Sequence, residues 1–415
     1  MGKYLMTTGS KHKFIIVQWL AEKLFLLALI LLIPGYLNST PKVNHSGYFK
    51  NFFTVWDQPS SDSTLITGSV YHRIRYQCLV SFDRMVQLNF AYSLAAVVAT
   101  SEQHIVIGRE TSEYRYQDLS SRIYPGEQDE IENFALYQDV DRAFMKIRFK
   151  LGDLYIGRQP FSWGISRNYS PTDFISPFSL NQLDQEQRRG SDGVRVKIPV
   201  GMMNELDFGW VAGSEAQSDL NGYFARMRIN IAKTDFEFIG AYFRKNLLVG
   251  GGLTRSIFQA GFWSEGAYLI PEVHENIDQF YKNGFFKFSA GMDYSWWGTL
   301  YGFVEYDYNG GGMSCPEQYY LSQQRPASSQ LGKHYLGGGL NYQFKPLVNI
   351  SGNLILNLND QSVFITPRLE YNIAENIYLY FGSYSGIGSK PDQMGMQSEF
   401  GSYPRIYYSS FSVYF

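Results

Sequence analysis

The 415-residue sequence predicts an all-β fold: a transmembrane antiparallel up-and-down β-barrel of about 18 strands, with 16 strands as the alternative count. Three observations predict this fold. Polar and apolar residues alternate along most of the chain, aromatic residues make up 17% of it, and its final strand ends in Phe. Alternation turns one set of side chains toward lipid and the other toward a polar lumen, while aromatic residues form girdles at the membrane surfaces.

The C-terminal segment carries the most informative pattern. Phe411, Val413 and Phe415 fall on one face of a strand, because strand side chains alternate with a period of two. This pattern resembles the C-terminal strand of bacterial outer-membrane β-barrels. There the terminal aromatic residue is part of the assembly signal, so the resemblance implies outer-membrane lipids and the barrel assembly machinery as partners. The alternative is a soluble, lectin-like chain that ends in an edge strand.

Composition narrows the function classes. The chain has 36 basic and 38 acidic residues, and this near balance argues against a nucleic-acid partner. A mean hydropathy of −0.23 excludes a bundle of transmembrane helices, since each would need about 20 apolar residues. Only two cysteines are present, so no disulfide framework is expected.

The N-terminus predicts export. Residues 1–39 contain Lys3, Lys11 and Lys13, then the apolar run 24–33, which is typical of a signal peptide. An uncleaved anchor and a buried helix are the alternatives. We therefore expect an integral protein of the Gram-negative cell outer membrane. Residues 40–68 have weak periodicity and predict a periplasmic segment or a plug, and residues 69–415 predict the transmembrane barrel.

The spacing of the strands also predicts two unlike barrel ends. Alternation is clear at 142–151, 192–198 and 222–231, and a strand is expected at 103–118. Short turns fall on one end. All the long connections fall on the other end, as in outer-membrane barrels, and these are 119–139, 161–190, 214–221, 271–283, 310–333 and 387–402.

Loop 161–190 is long and rich in charge. We expect it to fold inward and narrow the lumen with its charges paired to wall residues; the alternative is an outward loop whose ion pairs add little stability. The residues assigned to this constriction are Arg158, Trp163, Arg167, Asp173, Asp184, Glu186, Arg188 and Arg189.

The same region carries a family resemblance. A Gly-Arg-Gln strand end at 157–159 is followed by Trp163-Gly164, then by Ser-Pro-Thr-Asp at 170–173 and a charged segment at 183–192. This order resembles a porin-like family of bacterial outer-membrane β-barrels, with some likeness to alginate-export barrels. The resemblance implies a channel and does not supply a substrate.

The face of each strand opposite the apolar face should line the lumen, and its charges are mainly basic in the N-terminal half. Basic side chains that line a lumen favour the passage of anions. The residues assigned to the pore lining and its selectivity are Arg73, Arg75, Lys146, Arg148, Lys150, Arg195, Lys197, Arg226, Arg228, Glu305, Asp307, Arg368 and Glu370.

These observations predict an outer-membrane channel for passive diffusion of small polar solutes, leaning to anions, with a bore set by loop 161–190. Two alternatives stay open: an export channel for an acidic polysaccharide, and a closed barrel that binds partners at the surface. No enzyme is expected, because no nucleophile motif, His-Glu-x-x-His motif or metal-ligand cluster occurs. No cofactor is expected either, and a homo-oligomer is left open.

Overall fold

The computed structural model describes residues 40–59, 65–100, 112–126, 128–175, 184, 186–271, 283–325, 330–393 and 395–415. The signal peptide predicted at 1–39 lies outside the described residues. The strands of the described residues form a single sheet, and this sheet closes on itself because its first and last strands are hydrogen-bonded neighbours.

The described residues form nineteen strands, every one antiparallel to its neighbours. The three-residue strand β4 pairs only with the end of β5, so the barrel wall has 18 strands. In chain order the strands are β1 Lys42–Gln58, β2 Leu65–Ser81, β3 Val86–Ala99, β4 Arg122–Tyr124, β5 Phe134–Phe149, β6 Gly152–Pro160, β7 Gly190–Val200, β8 Asn204–Val211, β9 Gly222–Ile231, β10 Thr234–Phe243, β11 Asn246–Ile257, β12 Ala260–Ile270, β13 Phe285–Trp296, β14 Leu300–Asn309, β15 His334–Lys345, β16 Val348–Asn357, β17 Ser362–Ala374, β18 Ile377–Ile387 and β19 Arg405–Tyr414.

The two ends of the barrel differ as the sequence predicts. The long connections, which include 100–133, 161–189, 271–284, 310–333 and 388–404, share one end. The other end carries eight short turns, at 82–85, 150–151, 201–203, 232–233, 258–259, 297–299, 346–347 and 375–376. We call these the loop end and the turn end. Among the described residues no helix is long and apolar enough to cross a membrane.

Two predicted segments are wrong, and their errors cancel in the strand count. Residues 42–58 were expected to be periplasmic or a plug, yet they form the wall strand β1, paired with β2 and β19. The strand expected at 103–118 is absent from its described part, 112–118, which is irregular. The alternation of β1 is hard to see because both of its faces are aromatic: Phe52 points into the barrel and Phe53 points out.

The seam of the barrel joins the two ends of the wall. Tyr48 lies opposite Tyr414, and Gly47 and Phe415 exchange backbone hydrogen bonds of 2.8 and 3.0 Å. The ring of Phe415 lies where a Cβ on residue 47 would be, 2.6 Å away, so only Gly fits there. Phe415 is exposed on the outer surface, so the aromatic residue predicted as an assembly signal also closes the wall.

Candidate solute pathway through the barrel

The connection between β6 and β7 enters the lumen, as expected for loop 161–190. We call its residues 161–189 the constriction loop. Phe161 and Trp163 are buried, and the ring centroid of each lies within 6 Å of that of Phe224 on β9, at 5.8 and 4.5 Å. They join an apolar cluster on the inner face of β9–β13 that includes Ile239, Leu248 and Leu269. The first part of the loop is therefore held by the hydrophobic effect.

A wall carboxylate, that of Glu265 on β12, anchors the next part of the loop. Its Oε2 accepts the backbone N–H groups of Ile165 and Ser166 at 2.7 and 2.9 Å. Its Oε1 accepts the hydroxyls of Ser170 and Thr172 at 2.7 and 2.6 Å. Glu265 is 1% exposed, and such charge-assisted hydrogen bonds are among the stronger ones.

A second wall carboxylate repeats this arrangement two strands away. Glu305 on β14 accepts the backbone N–H groups of Arg167 and Asn168 at 2.7 and 2.8 Å. The indole N–H of Trp263 also donates to it, at 2.6 Å. The guanidinium of Arg167 then stacks over the Trp263 ring at 5.2 Å and binds Asp293 at 3.1 Å.

Lumen-facing glycines make room for the loop. A Cβ on Gly337 of β15 would lie 2.0 Å from Nδ2 of Asn168, and a Cβ on Gly252 of β11 would lie 2.7 Å from the end of the Ile165 side chain. These two glycines are therefore part of the surface on which the loop rests.

The described end of the loop crosses to the barrel seam. Asp184 accepts hydrogen bonds from Lys50 of β1 at 2.8 Å and from Arg73 of β2 at 3.2 Å. Glu186 pairs with Lys50 and accepts the Tyr414 hydroxyl at 2.7 Å. Lys50 is buried, and it was absent from the predicted lining because β1 was not recognised as a wall strand.

Much of the basic lining is neutralised by neighbouring acids. The guanidinium of Arg75 binds both oxygens of Asp141, at 3.0 and 3.1 Å. Arg195 does the same with Asp207, at 2.8 and 2.5 Å. Arg226 donates to Glu237 at 2.7 Å. These pairs lie on the wall between β2 and β10 and leave less free positive charge there than the sequence suggests.

Two cavities lie beside β13–β19. A cavity of about 1000 Å³ lies between the constriction loop and this part of the wall. A second cavity of about 450 Å³ continues toward the turn end. Tyr301 and Asn341 line both cavities, so the two are adjacent.

The larger cavity has a basic lining. Among the described residues its wall includes seven basic and three acidic side chains. The basic ones are Arg167, Arg188, Arg189, Arg244, Lys287, Arg325 and Arg368, and the acidic ones are Glu113, Asp173 and Asp307. Five of the seven basic side chains lie on loops or turns, so alternation along wall strands could not have found them.

Several of the remaining predicted residues form ion pairs at one end of the barrel or the other. Arg158, at the end of β6, binds Asp192 and Asp118 at the loop end, at 2.7 and 2.6 Å. Lys146 pairs with Asp153 near the turn end at 2.9 Å, and Arg148 binds the same carboxylate. Three further predicted residues form ion pairs: Arg188 with Asp173, Lys197 with Glu205 at 3.9 Å and Arg368 with Glu370 at 3.3 Å.

One predicted lining residue is wrong. Lys150 lies in the turn after β5 and is exposed, because that strand ends at Phe149. Arg228 is on β9 and also exposed near the turn end. Glu305 and Asp307 face inward as expected, but the constriction loop covers Glu305, which therefore serves as an anchor for the loop.

Three side chains that organise this site were not predicted as functional: Glu265, Asp141 and Lys50. Glu265 carries a sequence signal, since it is a lone carboxylate within the apolar strand 260–270. Among the described residues no group of three His, Cys, Asp or Glu side chains is placed to hold a metal ion.

Similar proteins were found by structure only. No protein-family model and no curated protein sequence matches the chain. The outer membrane protein opdK from Pseudomonas aeruginosa is similar with a TM-score of 0.55 at 9% identity, over 92% of this chain and 100% of that chain. OccAB4 from Acinetobacter baumannii is similar with a TM-score of 0.54 at 9% identity, over 91% and 99% of the two chains.

OccK8 (OprE) of Pseudomonas aeruginosa gives the same TM-score of 0.54 at 9% identity, covering 90% of this chain and 98% of that chain. The chain has the porin-type outer-membrane barrel fold. This porin-type barrel matches the expected fold class and the resemblance seen in residues 157–192.

Proposed function

We propose that this porin-type barrel is an outer-membrane channel for passive diffusion of small polar solutes. The observation that carries the proposal is the pair of adjoining cavities beside β13–β19, which run from the constriction loop toward the turn end. Polar side chains such as Asn341, Asn353 and Thr366 line this path and keep it wet. The barrel acts as a channel and not as an enzyme.

We also propose a preference for anions. The ion pairs beside β1–β10 cancel most of the local charge, so the wall charges of the larger cavity set the field that a solute meets. Basic side chains outnumber acidic ones there by seven to three. Arg167 and Arg368 are about half exposed in their side chains, at 50% and 46%, and can reach a passing solute.

The constriction loop sets the bore in this proposal. Its two carboxylate anchors, Glu265 and Glu305, fix its backbone, so the loop acts as a static filter. Insertion by the barrel assembly machinery is proposed to use the outward apolar face formed by Phe411, Val413 and Phe415.

The experiment is planar-bilayer recording of the refolded full chain, with reversal potential measured under a salt gradient. We expect steady steps and an anion-biased reversal potential. Replacing Arg167 and Arg368 together by Gln should lower the anion/cation permeability ratio several-fold. The matched control is Arg84→Gln, which changes a described arginine in a turn of the turn end, outside both cavities.

Absence of conductance from correctly folded protein would overturn the channel proposal. Conductance with an unchanged permeability ratio in the double variant would overturn only the anion preference. Arg148→Ala, Arg195→Ala and Arg226→Ala combined should have a smaller effect on the ratio than the cavity pair, because none of these three arginines lines either cavity.

A further inference from the structure

A carboxylate on the inner wall has no role in holding the constriction loop. Asp307 of β14 is 2% exposed and lines the larger cavity. Among the described residues its oxygens meet no hydrogen-bond donor apart from the Ser289 hydroxyl. Buried polar groups are almost always matched, because an unmatched one loses its hydration with nothing in return. A buried carboxylate in a cavity wall with a single hydroxyl neighbour has unused capacity to accept hydrogen bonds, and this points to a ligand.

The surroundings of Asp307 contain further unmatched polar atoms. Ser289 lies directly opposite on β13, and apart from its contact with Asp307 its Oγ has no partner among the described residues. The hydroxyl of Tyr169, on the constriction loop, is unmatched in the same way. The Tyr169 ring lies 5.8 Å from that of Tyr335, and Tyr335 is the β15 neighbour of Asp307. The Asp307 carboxylate and the Ser289 hydroxyl thus face each other on neighbouring strands, and the Tyr169 ring of the loop packs against the next strand.

This set is suited to a cationic group that donates hydrogen bonds. A carboxylate accepts only, and each hydroxyl has lone pairs to offer. The nearby Glu305 does not compete, because its oxygens accept two loop amides and an indole. Among the described residues no Lys or Arg side chain forms an ion pair with Asp307.

We propose that Asp307, Ser289 and Tyr169 form a subsite that takes the ammonium group of a permeating solute. The inference rests on the proposed channel function and deepens it. Lys287 and Arg325 line the same cavity, so an acidic group on the same solute has cations to meet. The channel is then selective for solutes that carry an ammonium group together with an anionic group.

The test compares two probes that differ only in that group. Tracer uptake of β-alanine and of 3-hydroxypropionate is measured in proteoliposomes that contain the full chain, next to the salt conductance of the same preparation. We expect several-fold faster uptake of β-alanine. Asp307→Asn should lower the ratio of β-alanine uptake to 3-hydroxypropionate uptake to about one and leave the uptake of 3-hydroxypropionate unchanged. Ser289→Ala should lower the ratio by a smaller amount.

Asp235→Asn is the control, since Asp235 lies on β10 outside both cavities and binds Asn230 at 2.6 Å. It should keep the wild-type ratio. Equal uptake of both probes by a conducting wild-type channel overturns the subsite and leaves the channel intact. Equal slowing of both probes in Asp307→Asn also overturns it, because Asp307 would then only shape the wall. No conductance and no uptake overturn the proposed function itself.

Discussion

Glu265 and Thr172 meet through both polar groups of the threonine: one carboxylate oxygen accepts the Thr172 backbone N–H at 2.9 Å and its hydroxyl at 2.6 Å. Thr172 belongs to the constriction loop and Glu265 to the opposite wall, 93 residues later. The contact joins the loop to the barrel at a point where the loop has already crossed part of the lumen. The path that remains open is therefore defined by wall residues as much as by the loop.

Removing this anchor should loosen the loop. Each hydrogen bond to a charged acceptor contributes about 1.5–3 kcal/mol, and Glu265→Ala removes several at once. We expect larger and noisier single-channel steps in Glu265→Ala. Glu265→Gln should give steps of intermediate size, because its amide oxygen can still accept hydrogen bonds from the loop. Glu205→Gln, on β8 near the turn end, is the control and should keep wild-type steps. Unaltered steps in Glu265→Ala would mean that the apolar contacts of Phe161 and Trp163 hold the loop alone.

A methyl group on Gly337 should also disturb the loop. Its Cβ would lie 2.0 Å from the Asn168 amide, so Asn168 must move, while the strand backbone can stay. Overpacking of this kind typically costs about 1–3 kcal/mol. We expect Gly337→Ala to change the single-channel conductance. Gly240→Ala, where an added Cβ meets nothing within 4 Å, should not. A difference in conductance between these variants, measured in the same bilayers, checks the prediction.

The pair formed by Arg195 and Asp207 should be costly to break from one side. Arg195 and Asp207 are 7% and 1% exposed, and Arg195→Ala leaves the carboxylate buried with the weaker contact to Arg226, at 3.5 Å. Breaking a buried pair in this way typically costs about 3–5 kcal/mol. The double variant Arg195→Ala/Asp207→Ala should lose less. Denaturant unfolding of the wild type, the two single variants and the double variant measures the coupling free energy of the pair. Additive losses of unfolding free energy would contradict the prediction.

The loop end should respond to pH through Glu399. This carboxylate is buried in the connection before β19, where it accepts the Tyr335 hydroxyl at 2.5 Å, the Asn357 amide at 2.7 Å and the Leu331 N–H at 3.3 Å. Burial raises the pKa of Glu399 to about 7, against the three hydrogen bonds, which lower it. The neighbouring Asp360 adds to the rise.

The direction of the pH effect on stability follows from the linkage between proton binding and folding. A carboxyl whose folded pKa is raised binds its proton more tightly in the folded state, so its stabilising contribution is complete below the unfolded pKa of 4.5 and is lost as pH rises to about 7. At about 1.4 kcal/mol per pKa unit, the loss is at most about 3 kcal/mol. We expect loop 310–333 to be cleaved faster by protease at pH 8 than at pH 5. In the Glu399→Gln variant the protease should cleave the loop at the same rate at pH 8 and pH 5. A pH dependence that persists in this variant would assign the effect to another group.

The sequence predicted the barrel because alternation is a local property that survives without knowledge of pairing. It predicted which side chains of β7 and β9 face inward for the same reason. It could not predict that Arg195 meets Asp207 and that Arg75 meets Asp141, since those contacts depend on strand register and, at Asp141, on a bulge in β5. β1 was missed because Phe52 and Phe53 make both of its faces apolar.

The pairing of β1 with β19 also constrains the order in which the wall forms. Tyr48 and Tyr414 are opposite each other although nearly the whole described chain separates them, so the closing contact has the longest sequence separation in the sheet. Until it forms, two complete strand edges carry unpaired backbone groups, which are templates for pairing with other chains. During biogenesis these edges need to be shielded, and closing the seam is the step that ends the exposure.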